Sequence, residues 1–210
     1  MERAQRAAEV VELLGKQYPD ARCELDFRSP WELLVATVLS AQSTDVRVNT
    51  VTPELFARWP GPEELAGASS RELETVIRPI GMHRQKARSL RAAARILMDE
   101  FGGEVPADID GLVALPGVGR KTAKVVLGEG FGIPAGITVD THVRRLAQRL
   151  GLTSLEDPEK IASELEELVP KDEWILFATR LILHGRRVCT ARSPCCEECV
   201  LSEICPRIGL

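Results

Sequence analysis

The chain has 210 residues, 44% of them hydrophobic and 28% charged, a balance that suits a buried core and excludes a disordered segment. No apolar run approaches the roughly 20 residues needed to cross a bilayer, and residues 1–17 show an amphipathic helical pattern where a secretory leader would be apolar, so a cytoplasmic protein is expected. The formal net charge of −4 argues mildly against a polyanionic partner, but the charge is unevenly spread. Six Lys or Arg and no acid lie between Arg78 and Met98, whereas Thr153 to Glu173 holds eight acids against two lysines. A basic face with an acidic back suits steering toward DNA.

Apolar residues recur at spacings of three and four along the whole chain and never alternate for long, which predicts an all-α protein. In chain order, "SPWELLVATVLSAQ" opens with Ser29, Pro30 and Glu32, a capping box with proline at the first helical position, and continues as a central buried helix. "SSRELETVIRPIG" repeats the device with Ser69 and Glu72. "HRQKARSLRAAARILMDEFGG" reads as a long basic helix whose Leu90, Ala93, Ala94 and Leu97 form one stripe, stopped by Gly102 and Gly103. Further on, "DIDGLVAL" is a short helix, "PGVG" a tight turn and "RKTAKVVLGEG" a second helix, so Pro116 to Gly119 joins a helical hairpin. "ITVDTHVRRLAQRLG" starts a helix at Asp140 and stops it at Gly151, and "DPEKIASELEELVP" and "KDEWILFATRLILHG" add two more.

The hairpin carries the first chemical signal. Its glycines permit left-handed backbone and close approach, and the first amides of the following helix have no intrahelical partner, which suits a phosphate gripped without regard to base. Gly117, Val118, Gly119 and Arg120 are the expected DNA contacts. Lys121 then sits in the first helical turn, where the helix N-terminus and Lys124 both disfavour an ammonium. A free amine near neutral pH requires about 4 kcal/mol, of which a helix end supplies at most about 2, so partial burial in a pocket is expected to provide the rest. A lysine so placed is a candidate for imine chemistry with a sugar carbon. Asp140, as an N-cap, would be held ionised and rigid, as a stabiliser of a developing sugar cation must be.

Cys189, Cys196, Cys199 and Cys205 follow one another after six, two and five intervening residues, a spacing that points to metal rather than disulfides. Spacing alone allows either a Cys₄ zinc site or an iron-sulfur cluster, and adjacent Cys195 leaves open which of the pair is the ligand. Cys23 reads as a packing residue, and His142 and His184 as hydrogen-bonded structural histidines.

Taken together, "LLVATVLSAQSTDVRVN", "LPGVGRKTAKVVL", "VDTHVRRL", "LILHGRRVC" and the terminal cysteines closely resemble endonuclease III, the helix-hairpin-helix DNA glycosylases of base-excision repair, nearly end to end. That resemblance implies a six-helix barrel over residues 23–135, a second, iron-sulfur cluster domain from residues 1–22 and 136–210, and a DNA-binding cleft flanked by the two. It implies Lys121 as nucleophile and Asp140 as catalytic carboxylate, acting on a nucleotide flipped from the duplex. The base would be excised, an imine formed at C1′, and the strand cut by β-elimination. Oxidised or damaged pyrimidines in double-stranded DNA, or abasic sites, are the implied substrates, with the protein acting as a monomer and carrying a 4Fe-4S cluster on Cys189, Cys196, Cys199 and Cys205. Gln42 matches the glutamine that fills the gap left by the flipped base, and Arg192 matches the DNA-contacting loop between the first two ligands. Met82 stands where the family commonly has a leucine wedge, and one extra residue is expected to bulge the loop near Gly136. The alternatives are a mismatch- or purine-directed glycosylase of the same superfamily, and a non-catalytic DNA-binding module with a zinc clasp.

Overall fold

The structure is a computed structural model that describes residues 1–210. It is 61% helical and contains no strand. Two compact units divide the chain, one continuous, Cys23–Ile133, and one discontinuous, Met1–Arg22 with Pro134–Leu210.

The continuous unit begins with α2 (Pro30–Ser40), the first helix being α1 (Arg3–Gln17) of the other unit. Ser29 caps α2 by accepting from the Glu32 amide at 3.2 Å, while the Glu32 carboxylate reaches past the cap to the Arg28 amide at 2.7 Å. Seven of the eleven residues of α2 are buried, as its nearly unbroken apolar run predicts. Around it lie α3 (Asp45–Arg58), α4 (Pro62–Gly67), α5 (Ser70–Val76) and α6 (His83–Glu100), with α4 and α5 packed on α6 and α3 on α2. The capping box expected at Ser69 does not form, because the Ser69 side chain makes no bond to the first turn of α5. α6 ends as expected, with Gly102 and Gly103 at positive φ and the Gly103 amide returning to the Leu97 carbonyl at 2.8 Å. The hairpin is α7 (Ile109–Val113), capped by Asp108, and α8 (Arg120–Val125), which runs directly into a π-helical turn, Val126–Gly130. That turn and α8 pack on α2.

The discontinuous unit joins α1 to α9 (Thr141–Arg149), α10 (Pro158–Leu168) and α11 (Trp174–Arg187). Ala7, Val10 and Leu14 of α1 meet Val143, Leu146, Ile161, Leu165, Phe177 and Leu181 in one apolar core. Polar ties reinforce this packing, with Arg6 donating to the carbonyls of Leu150 and Gly151 at 3.3 Å and Arg3 pairing with Glu164 at 3.1 Å.

Candidate functional site

Gly117 shows why the hairpin turn needs its glycines. It sits at φ +87°, and a Cβ there would come within 2.9 Å of the Ser89 Cβ on α6. The turn is thereby seated directly on α6. Val118 anchors it from inside, with its side chain buried and its amide donating to the Leu115 carbonyl at 3.1 Å. Of the expected DNA contacts, Val118 therefore has its amide engaged within the turn, while Gly119 and Arg120 are exposed at the start of α8, where a helix's first amides point outward.

Lys121 is exposed in that first turn. The partial burial expected for it is found instead at Lys124, which is only 9% exposed. Lys124 lies three residues before buried Leu127, on the buried face of the helix, whereas Lys121 lies beside exposed Arg120 at the start of the helix.

Gln42 and Met82 are exposed, and both adopt the left-handed backbone, at φ +57° and +59°. Only one other non-glycine residue, Arg207, has a positive φ, and such positions cost roughly 1 kcal/mol or more each. The turns abut, since a Cβ on Gly81 would lie 3.4 Å from the Gln42 carbonyl oxygen. Between them is a residue that the charge pattern disguised. Lys86, one of the six basic residues of the Arg78–Met98 stretch, is buried, and its Nζ donates to the carbonyl oxygens of Leu39, at 2.8 Å, and Ala41. These are carbonyls at the C-terminal end of α2, which a cation suits by both hydrogen bonding and dipole. Burial pushes the Lys86 ammonium below the usual lysine range. The basic face thus has five members, and the sixth is an internal clamp.

Asp140 is the N-cap of α9, and its Oδ1 accepts from the amides of His142 and Val143, both at 2.8 Å. The other oxygen, Oδ2, has no donor in the protein, which leaves an anchored carboxylate with one free face. At the far end of α9, Arg149 is buried and donates to the Cys189 sulfur at 3.3 Å and to the carbonyls of Thr190 and Ala191 at 2.8 and 3.0 Å. Arg145 holds the carbonyls of Gly185 and Cys189 at 2.9 and 3.0 Å. Neither arginine stood out in the sequence, because backbone carbonyls are their partners and carbonyls leave no sequence signature.

The four spaced cysteines and Cys195 line one cavity, with Arg149 at its wall. Cys196 is half-buried and Cys195 exposed. Burial pushes the Cys199 and Cys205 thiols up, against the opposing pull of a backbone hydrogen bond to each and with the neighbouring sulfurs adding to the rise. No three Cys, His, Asp or Glu side chains converge tightly enough to hold a single metal ion. His184 is buried between the Tyr18 hydroxyl, at 3.1 Å, and the Cys199 sulfur, at 3.2 Å, and burial lowers its imidazole to about 4. Arg192 is exposed on a loop braced internally by Thr190, whose hydroxyl donates to the Ser193 carbonyl at 2.7 Å.

Residues 35–171 match the HhH-GPD superfamily of base excision DNA repair proteins. The endonuclease III of Synechocystis sp. is 52% identical over 202 residues, covering 96% of this chain and 92% of that protein. The chain belongs to the endonuclease III family. Endonuclease III of Escherichia coli K12 is 40% identical over 205 residues, 98% of this chain and 96% of its own. A solved endonuclease III, trapped as a covalent intermediate with DNA in an estranged-adenine complex, matches with a TM-score of 0.93 and 43% identity, covering 99% of this chain and 97% of that one. A thermostable thymine-DNA glycosylase shares the fold at a TM-score of 0.88 and 25% identity, covering 97% and 96%.

Proposed function

We propose that this endonuclease III family member removes oxidised or ring-damaged pyrimidines from duplex DNA and cuts the strand through an imine on Lys121. The chain is a base-excision DNA glycosylase with AP lyase activity, and damaged duplex DNA is its partner. The lesion class and the residues are our assignment, and the observation that carries it is the exposed Lys121 in the first turn of α8, directly after the glycine turn.

The steps follow from the groups present. Amides of the hairpin turn and the Arg120 side chain hold phosphate, and Gln42 and Met82 occupy the space that the flipped nucleotide leaves. Asp140, with Oδ2 free, stabilises positive charge building on the sugar, and the Lys121 ammonium gives up a proton to water before it attacks. The Lys121 nitrogen attacks C1′ as the glycosidic bond breaks, and the base departs with a proton. Opening of the C1′–O4′ bond leaves the imine. Loss of a C2′ proton then expels the 3′ phosphate, and water releases the lysine. Lys121 is exposed on the protein surface, so the desolvation that activates it is supplied by bound DNA.

A panel of duplexes, each with one defined lesion, tests the assignment. Single-turnover excision is expected to be fastest on oxidised pyrimidines, with borohydride trapping the protein on the same duplexes. Faster release of thymine opposite guanine, of mispaired adenine, or of 8-oxoguanine would overturn the pyrimidine reading.

We assign a 4Fe-4S cluster to Cys189, Cys196, Cys199 and Cys205. The donor set fits it: four thiols line one cavity, and thiolate sulfur is the ligand such a cluster takes. Cys196 is preferred to the more exposed Cys195, and Arg149 offers an N–H to the Cys189 sulfur. When bound, the group ties the 189–205 segment together as a clasp and leaves Arg192 presented to DNA. Purified protein is expected to be brown, with about four iron and four labile sulfide per chain. Colourless protein with one zinc would overturn this assignment. A cytoplasmic location, on the nucleoid while DNA-bound, and action as a monomer complete the proposal. The cluster-bearing domain is then the unit of Met1–Arg22 and Pro134–Leu210, and the barrel is Cys23–Ile133.

A further inference from the structure

We propose that Lys86 is a positioning residue for base extrusion: it locks the left-handed turns at Gln42 and Met82 to one another, so that both side chains enter the duplex as one device. This rests on the assignment of Gln42 and Met82 to the DNA gap.

Lys86 is bonded to both turns at once. Its Nζ donates to the carbonyls of Leu39 and Ala41, the latter immediately before Gln42. Its backbone amide donates to the Met82 carbonyl at 3.0 Å. One turn later on the same helix, Ser89 is the surface against which Gly117 of the hairpin sits. The first two turns of α6 therefore meet all three loops assigned to DNA in the Cys23–Ile133 unit.

Burial of an ammonium is unfavourable unless its hydrogens are taken up, so a lysine solely for packing would be a poor choice here. Position 86 continues the spacing of Leu90, Ala93 and Leu97, and an apolar residue would complete that stripe. What an apolar residue cannot do is satisfy the carbonyls at the end of α2. Without that, the backbone at Gln42 can relax out of its left-handed conformation, and Gln42 loses its register with Met82.

The experiment uses a duplex carrying a tetrahydrofuran abasic analogue with 2-aminopurine opposite, whose fluorescence changes when that base is displaced from the stack. Lys86→Met is expected to reduce the saturating fluorescence change by at least about threefold while duplex affinity stays within about threefold, because phosphate is held by the hairpin. Leu97→Ala, at the other end of α6, controls for lost stability and is expected to keep the full change. Lys86→Arg, which retains charge and donors, is expected to recover at least half of it. Should Lys86→Met fail to fold, Lys86→Gln, too short to reach both carbonyls, is expected to lose about half of the signal. A full change in the foldable Met or Gln variant, or an equal loss in Leu97→Ala, overturns the proposal. The double variant Gln42→Ala, Met82→Ala separates the two levels. If it keeps the full change, the assignment of those two residues has failed; if it loses the change and Lys86→Met does not, only the role of Lys86 has failed.

Discussion

Lys121→Gln is expected to abolish borohydride trapping on an abasic duplex and to slow strand scission by at least about 10,000-fold, the order of loss when a covalent nucleophile is removed. The position makes this a clean test. Lys121 is exposed in the first turn of α8, so the substitution leaves no cavity and should change stability by no more than about 0.5 kcal/mol. Duplex affinity should fall only modestly, since removing one cation takes away one phosphate attraction among several. Gel electrophoresis of the trapped complex, with melting temperature and duplex affinity measured alongside, reads all three. Scission at an undiminished rate would mean that another amine forms the imine, and the assignment of Lys121 would be lost.

Asp140→Asn is expected to slow base excision by about 100- to 1,000-fold, the range found when one preorganised electrostatic stabiliser is removed. The value of asparagine here is that it caps helices nearly as well as aspartate. The amides of His142 and Val143 keep an acceptor, and stability should stay within about 1 kcal/mol, including the lost attraction of a carboxylate to the helix N-terminus. Asp140→Ala removes charge and cap together. Comparing single-turnover excision and melting temperature of the two variants separates catalysis from capping. Were the asparagine variant as fast as the parent, Asp140 would be a cap and nothing more.

Much of this was legible in the sequence wherever the determinant was local. The Ser29-Pro30 start of α2, the glycine stop of α6 and the Asp140 cap each depend on residues within a turn of one another, and each formed. Ser69 has the same local pattern, yet its side chain leaves the first amides of α5 alone, which shows that a capping pattern permits the bond without compelling it. Lys121 is exposed where the sequence predicts partial burial, because the buried face of α8 passes through Ala123 and Lys124 instead. For Lys86 a signal did exist, since the position falls in step with the stripe on α6, but the charge of the residue outweighed its register. Arg145 and Arg149 had none, because the carbonyls they hold, and the Cys189 sulfur that Arg149 reaches, lie about forty residues away.

The split composition of the Met1–Arg22 and Pro134–Leu210 unit sets an order of events during synthesis. Everything that Cys23–Ile133 packs against within its own unit has left the ribosome once residue 133 emerges, whereas α1 is made before that unit and waits for α9, α10 and α11. At roughly 5–20 residues per second, that wait lasts on the order of 10–30 s. Throughout it, Ala7, Val10 and Leu14 are apolar side chains without a home. Helix α1 is thus a stretch that a holding chaperone has reason to cover until its partners have been made.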